Sequence, residues 1–335
     1  MPASGTARGG HHPLARKLCG HSLADHRELA VEKFVQQLRK IASDAVIISS
    51  ETLAGLLQRE CGEVFFRHIS DLDLEPKLVL FPRHQPQWIN SRYTEAARSC
   101  SFSESFETFA HDAAQRPSLR YSPFIELSRT YHAELIARPF NAETMAKGLV
   151  PTFLEAIGLD ASQFGDTNVR RNPGVGPFTI AVGRGIARRV AATGRTFKWQ
   201  HSAQCKSALL AYLEKNALAD SGYCGLTTSL AHRIEEVCRD DNEAFAKTVW
   251  GVRWEEAFAG EVGQEFVAND FDVCPPDETT QRVLARSIDE MMPVVDEILR
   301  DATLASDAPW NDLRRRRGLP AGQTQNAGAA AGGMP

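Results

Sequence analysis

Three short apolar runs set the narrowest limits on the fold: AVIIS at 45–49, KLVLF at 77–81 and AELIARPF at 133–140. Each is shorter than an ordinary helix and rich in branched side chains, the pattern of strands buried on both faces. Around them the apolar spacing turns helical. LAVEKFVQQLRKIA places Val31, Phe34, Val35, Leu38 and Ile41 on one face, and ETLAGLLQRE, QWINSRYTEAARS and FSESFETFAHDAA follow in the same manner. Strands separated by helices predict an α/β fold, a parallel sheet with flanking helices, whose ligands gather at the carboxyl ends of the strands.

From about residue 150 the texture changes. VPTFLEAIGLD reads as a helix stopped by Gly158, and helical spacing then runs over 175–192, 200–217, 226–249 and 278–303. NDFDVCPPDE, with Pro275 and Pro276, is the clearest loop before the last helix. The spacing thus divides the chain into an α/β core at 1–145, a mostly helical cap at 146–305 and a tail at 306–335. The tail joins Arg314–Arg317 to Gly, Ala and Gln with no apolar periodicity, so disorder is expected there.

With 43% hydrophobic and 24% charged residues, the 335-residue chain has the composition of a globular protein. A net charge of -4 argues against nucleic acid or an anionic membrane as a general partner. The seven cysteines are scattered, with no C-x-x-C pair, and read as reduced thiols. No apolar stretch approaches the ~20 residues of a membrane span, and the first residues lack a signal-peptide core. A cytoplasmic location is expected.

The stretch KLVLFPRHQPQWINSRY, 77–93, carries the sharpest candidate site. Arg83 falls just past a strand's carboxyl end, Pro86 suits the first turn of the next helix, and Ser91 follows in its early turns. An arginine fork and a hydroxyl can converge on one phosphate monoester. The same pattern also suits an ordinary strand-to-helix turn.

A strand ending in arginine, with serine eight residues later, resembles the segment of the sulfotransferases that grips the 3′-phosphate of 3′-phosphoadenosine 5′-phosphosulfate (PAPS). VIISSETLAGLL resembles that family's second strand and turn, especially in its bacterial and glycan-acting members. The resemblance covers about residues 11 to 300 and implies a P-loop NTPase-like fold. It makes Arg83 and Ser91 the cofactor-binding residues and Glu51 the catalytic base. The implied reaction carries a sulfuryl group from PAPS to a hydroxyl of a carbohydrate or other small acceptor, with no metal. For Glu51, a helix-starting residue beside the dipole is an equal reading.

The chain departs from the family at its start. The family opens with a strand, then a Gly- and Ser/Thr-bearing loop with a lysine, then a helix whose amides cradle the phosphosulfate. PASGTA, with Ser4, Gly5 and Thr6, lacks the lysine and is followed by RGGHHP. The resemblance therefore implies an amino-terminally incomplete relative, lacking the main electrostatic stabilisation of the leaving phosphate. A catalytically inactive remnant, using its helical cap to bind or scaffold, is the alternative.

Other candidates point to less. His11 and His12 read as a surface pair, since no ligand sits at metal spacing. GRGIARR at 183–189 lies inside a helical pattern, a poor place for a dinucleotide loop. Arg170, Arg171 and Arg184 read as a solvated basic face or as approaching an anionic cofactor. Of Trp88, Trp199, Trp250 and Trp254, only Trp88 is placed to serve as an adenine platform; the others read as core.

Overall fold

The computed structural model describes residues 32–40, 46–49, 53–57, 60–70, 72, 74–164 and 174–300. The chain forms α1 (residues 32–38), α2 (Leu53–Leu57), α3 (Glu60–Ser70), β1 (Lys77–Leu80), α4 (Gln85–Arg98), α5 (Phe106–Ala114), α6 (Pro123–Thr130) and β2 (Glu134–Ala137). After these come α7 (Ala142–Lys147), α8 (Leu149–Ala156), α9 (Pro177–Ala192), α10 (Trp199–Lys215), α11 (Thr228–Val249), α12 (Trp254–Ala257) and α13 (Glu278–Arg300). Helix dominates, beside one small parallel sheet, an α/β arrangement.

The chain divides into two compact units. The first holds residues up to Ala96, Glu104–Ile180 and Asp220–Pro276. Its sheet is the pair β1 and β2, parallel, with Lys77 opposite Glu134 and Leu80 opposite Ala137. Lys77 and Glu134 add an exposed cross-strand ion pair at 2.8 Å. On one side, Leu78 and Ala133 join Phe34, Val35, Leu38, Phe65, Phe66, Ile69 and Leu72 in a core. Ala137 joins a second core with Phe245, Ala246, Trp254 and Phe258.

The expected third strand does not form in the described part of AVIIS: residues 46–49 carry no strand. Val46 and Ile48 pack on the first core while Ile47 stays 39% exposed, an alternation that a strand also shows, but among the described residues the run pairs with neither β1 nor β2. The other two runs become β1 and β2.

The later helices match the sequence spacing closely. α8 ends where Gly158 adopts φ 78°, and its amide donates to the Glu155 carbonyl, so the glycine is the stop its backbone requires. α9 opens on a distant cap. The carboxylate of Asp220 accepts from the amides of Gly176, Phe178 and Thr179 at 3.1, 2.7 and 3.2 Å.

The second unit holds Ala97–Ser103, Ala181–Ala219 and the residues from Asp277 on. α10 and α13 pack together here, burying Cys205, Leu209, Leu213, Met291 and Val295. Tyr212 donates to Glu290 at 2.7 Å and Arg195 pairs with Asp296 at 2.7 Å along the seam. The glycines of GRGIARR serve packing. A Cβ on Gly183 would strike the backbone of Ala97, and one on Gly185 the side chain of Ile288. Arg184 between them is only 3% exposed, so it belongs to no solvated basic face.

No described helix is long and apolar enough to cross a membrane.

Candidate functional site

The register of the sheet delivers the site. Beyond the strands proper, Arg138 still donates its amide to Leu80 and Phe140 to Pro82, so the two chains run on side by side past their carboxyl ends. Arg83 and His84 emerge there, just ahead of α4. Pro86 falls in the helix's first turn, where its missing N–H costs nothing.

Arg83 is half-buried and strongly positioned. The hydroxyl of Tyr121 accepts from its backbone amide and donates to its carbonyl, each at 2.9 Å. Tyr121 is itself pinned. Its amide donates to Asp241 at 2.6 Å, and its ring packs against Phe245 and stacks on Trp254, both at 5.7 Å between centroids. Burial pushes its phenol well above the usual range. The Arg83 guanidinium lies 5.1 Å from the centre of the Phe140 ring. Among the described residues it has no carboxylate ion-pair partner, and its buried Nε–H has no acceptor. Burial depresses the pKa of this guanidinium, opposed by Tyr121 and Glu261, and the group remains charged.

Its neighbour His84 is completely buried. Nε2 lies 2.9 Å from Oε1 of Glu235 on α11, an oxygen that also accepts from the Gly263 amide at 3.1 Å. Burial works to raise the Glu235 carboxyl, but the bonds from His84 and Gly263 outweigh it and hold the group below the usual carboxylate range. The other ring nitrogen, Nδ1, is buried and has no partner among the described residues.

Glu261 completes the cluster. It is 8% exposed; one carboxylate oxygen accepts from the Ala142 amide at 3.1 Å, at the start of α7, and Oε2 is buried without a partner. Burial raises its pKa, against the pull of His84, the Ala142 amide and Arg83. Among the described residues, Arg83 Nε, His84 Nδ1 and Glu261 Oε2 are thus each buried without a hydrogen-bond partner. Native interiors rarely leave such groups unpaired, and both Arg83 and His84 act electrostatically on Glu261.

Next to it, Gln85 and Asn242 exchange two side-chain amide bonds, 2.5 and 3.0 Å, both residues buried. This pair fixes the start of α4 against α11.

The residues expected from sequence fall in different places. Arg83 stands at the carboxyl end of β1 as its spacing implied. Ser91 is exposed on α4, roughly 9 Å along the axis from Gln85, and no hydrogen bond joins it to Arg83 among the described residues. The face of Trp88 is shared with Arg92, 5.8 Å from its ring centre. Trp254 is core, as read. Glu51, His11, His12, Arg170, Arg171 and Arg314–Arg317 lie outside the described residues, as does the side chain of Trp199. His84, Glu235, Glu261 and Tyr121 were not anticipated; the one available signal was that His84 adjoins Arg83. No cluster of metal-ligating side chains occurs among the described residues.

No family model matches the chain, and neither a curated protein nor a solved structure does.

Proposed function

We propose that this chain is a sulfotransferase-like protein that binds an adenosine 3′-phosphate group of the PAPS class at the carboxyl end of β1. The observation that carries this reading is Arg83: a charged, half-buried guanidinium with a rigid backbone and no direct ion pair among the described residues, with Glu261 acting on it electrostatically. An oxyanion is the natural counterpart of such a group. The place agrees, since parallel sheets collect ligands beyond their carboxyl ends, where α4 begins. Ser91, on an exposed face, is free to add a neutral bond.

In the transfer this implies, the acceptor oxygen bonds to sulfur as the sulfur–oxygen bond to the donor phosphate breaks. The acceptor's proton passes to a base, and adenosine 3′,5′-bisphosphate leaves. Glu51 remains the residue proposed as that base, and a carbohydrate hydroxyl the proposed acceptor.

A second reading, a non-catalytic binding or scaffold protein, is favoured by one observation. Met145, Leu149, Val150, Leu159 and Phe164, on or after α7 and α8, are each between 42% and 50% exposed.

Calorimetric titration of the chain with adenosine 3′,5′-bisphosphate tests the first reading. Micromolar binding is expected, lost in Arg83→Ala and lost with the ligand lacking its 3′-phosphate. A folded chain that binds neither ligand refutes it.

A further inference from the structure

Apart from that reading, we propose that a cleft at the amino ends of β1 and β2 binds a small amphipathic organic cation, an ammonium carried on an aromatic or other apolar body.

The cleft measures about 460 Å³, within the roughly 300–1,000 Å³ of small-molecule sites. Its walls are apolar. Phe66 and Tyr131, stacked at 4.4 Å between ring centres, line it together with Ile69 and with Leu74, which is 47% exposed. The rim is polar: Glu75 and Lys77 come from the start of β1, and His132 and Glu134 from the start of β2.

The charges on that rim select the ligand. Lys77 is already paired with Glu134 at 2.8 Å, and Glu134, with a weaker push from Glu75, holds its ammonium above the usual range. Glu75 itself acts only through its charge, with no hydrogen bond or ion pair among the described residues. Beside Tyr131, Glu63 and Arg67 pair with each other at 2.9 Å and add no net charge. The rim thus sets two carboxylates against one ammonium. An anion would have to take Lys77 from Glu134 while facing Glu75, and a neutral ligand would leave Glu75 as it is. A cation pairs with Glu75 and meets aromatic rings that attract positive charge.

His132 is an independent sign. α6 closes with the Ala133 amide donating to the Ser128 carbonyl at 2.9 Å and the His132 amide to that of Arg129 at 3.4 Å, a helix stop whose left-handed position is ordinarily glycine. This chain places His132 there, at φ 49°. Left-handed backbone under a side chain is costly and gathers at ligand sites. The imidazole lines the cleft, where a ring nitrogen can accept from an ammonium N–H.

The test is a ligand-observed NMR titration of the full chain with benzylamine, benzyl alcohol and phenylacetate, which share a ring and differ in charge. Benzylamine should bind with a Kd on the order of 1 mM, ~5-fold more tightly than the alcohol, with phenylacetate the weakest. Three exposed positions locate the binding without threatening the fold. Glu75→Gln should remove the preference for the amine over the alcohol, and Lys77→Met should raise it ~3-fold. His132→Gly, which suits the left-handed backbone, should weaken the amine ~3-fold. Equal binding of the three ligands, a preference for phenylacetate, or a ranking that no variant changes overturns the proposal, as does a folded chain that binds no benzylamine. None of these outcomes bears on the nucleotide titration, because Arg83 lies beyond the other end of β1.

Discussion

The phenolic oxygen of Tyr121 holds Arg83 at both of its backbone polar groups, donating to the carbonyl and accepting from the amide at 2.9 Å each. A residue just past a strand would ordinarily satisfy these groups with water. Here a buried side chain does it, and the arginine's backbone is fixed before any ligand arrives. Preorganisation of this kind lowers the ordering cost of binding.

Tyr121→Phe keeps the ring's packing and removes both bonds. A loss of about 1–3 kcal/mol in urea-unfolding stability is expected, from backbone groups left unsatisfied. Binding of adenosine 3′,5′-bisphosphate should weaken in the same variant, whereas a purely structural role would change stability alone.

The two acidic groups beside His84 should pull stability in opposite directions with pH. Glu235 is held below its usual range, so its contribution is present above about pH 4.5 and lost as pH falls through its folded value. Urea titrations between pH 3 and 7 should show this acid-side loss in the unmodified chain. The loss should be smaller in Glu235→Gln, which is also less stable at neutral pH.

Glu261 has the reverse sign. Its carboxyl is raised, so its contribution is fullest below about pH 4.5 and is lost as pH rises through the folded value. Glu261→Gln retains an oxygen for the Ala142 amide and abolishes the titration. It should therefore gain stability relative to the unmodified chain between pH 4.5 and 8. A constant difference across that range would count against the assignment.

The helical framework was largely legible in the chain. Spacing located α9, α10, α11 and α13 to within a few residues, and Gly158 marked the end of α8. The runs KLVLF and AELIARPF became the two strands. AVIIS misled because apolar character does not reveal whether the backbone finds a neighbouring strand, and among the described residues 46–49 pairs with neither β1 nor β2. Of the candidate site, Arg83 could be found from its place after a strand. His84 could not, since its burial depends on Glu235, 151 residues away, and no local pattern encodes that pairing.

Gln85 and Asn242 offer a test of how the start of α4 is secured. Gln85→Ala removes both bonds that Asn242 makes to it, and Asn242→Ala leaves Gln85 only its long bond to the Leu119 carbonyl at 3.5 Å; each should cost about 1–3 kcal/mol. A double-mutant cycle should show coupling of about 0.5–3 kcal/mol, against near-additivity if the pair merely fills space.

Gly183→Ala should destabilise more than Gly185→Ala in chemical denaturation. The first places a methyl against the Ala97 backbone, which cannot swing aside, and the second meets the movable end of Ile288. Costs of about 1–3 kcal/mol are expected for such overpacking. Equal effects would imply that the Ala97 segment shifts freely.

The cap of α9 carries a consequence for how the chain is made. The amides that open this helix at Gly176, Phe178 and Thr179 bond to Asp220, 41 to 44 positions later. A ribosome adding about 5–20 residues each second delivers that carboxylate some 2–9 s after the helix start has been synthesised. Throughout that interval α9 exists without its lock, and α10 is synthesised before the first turn of the helix preceding it can close.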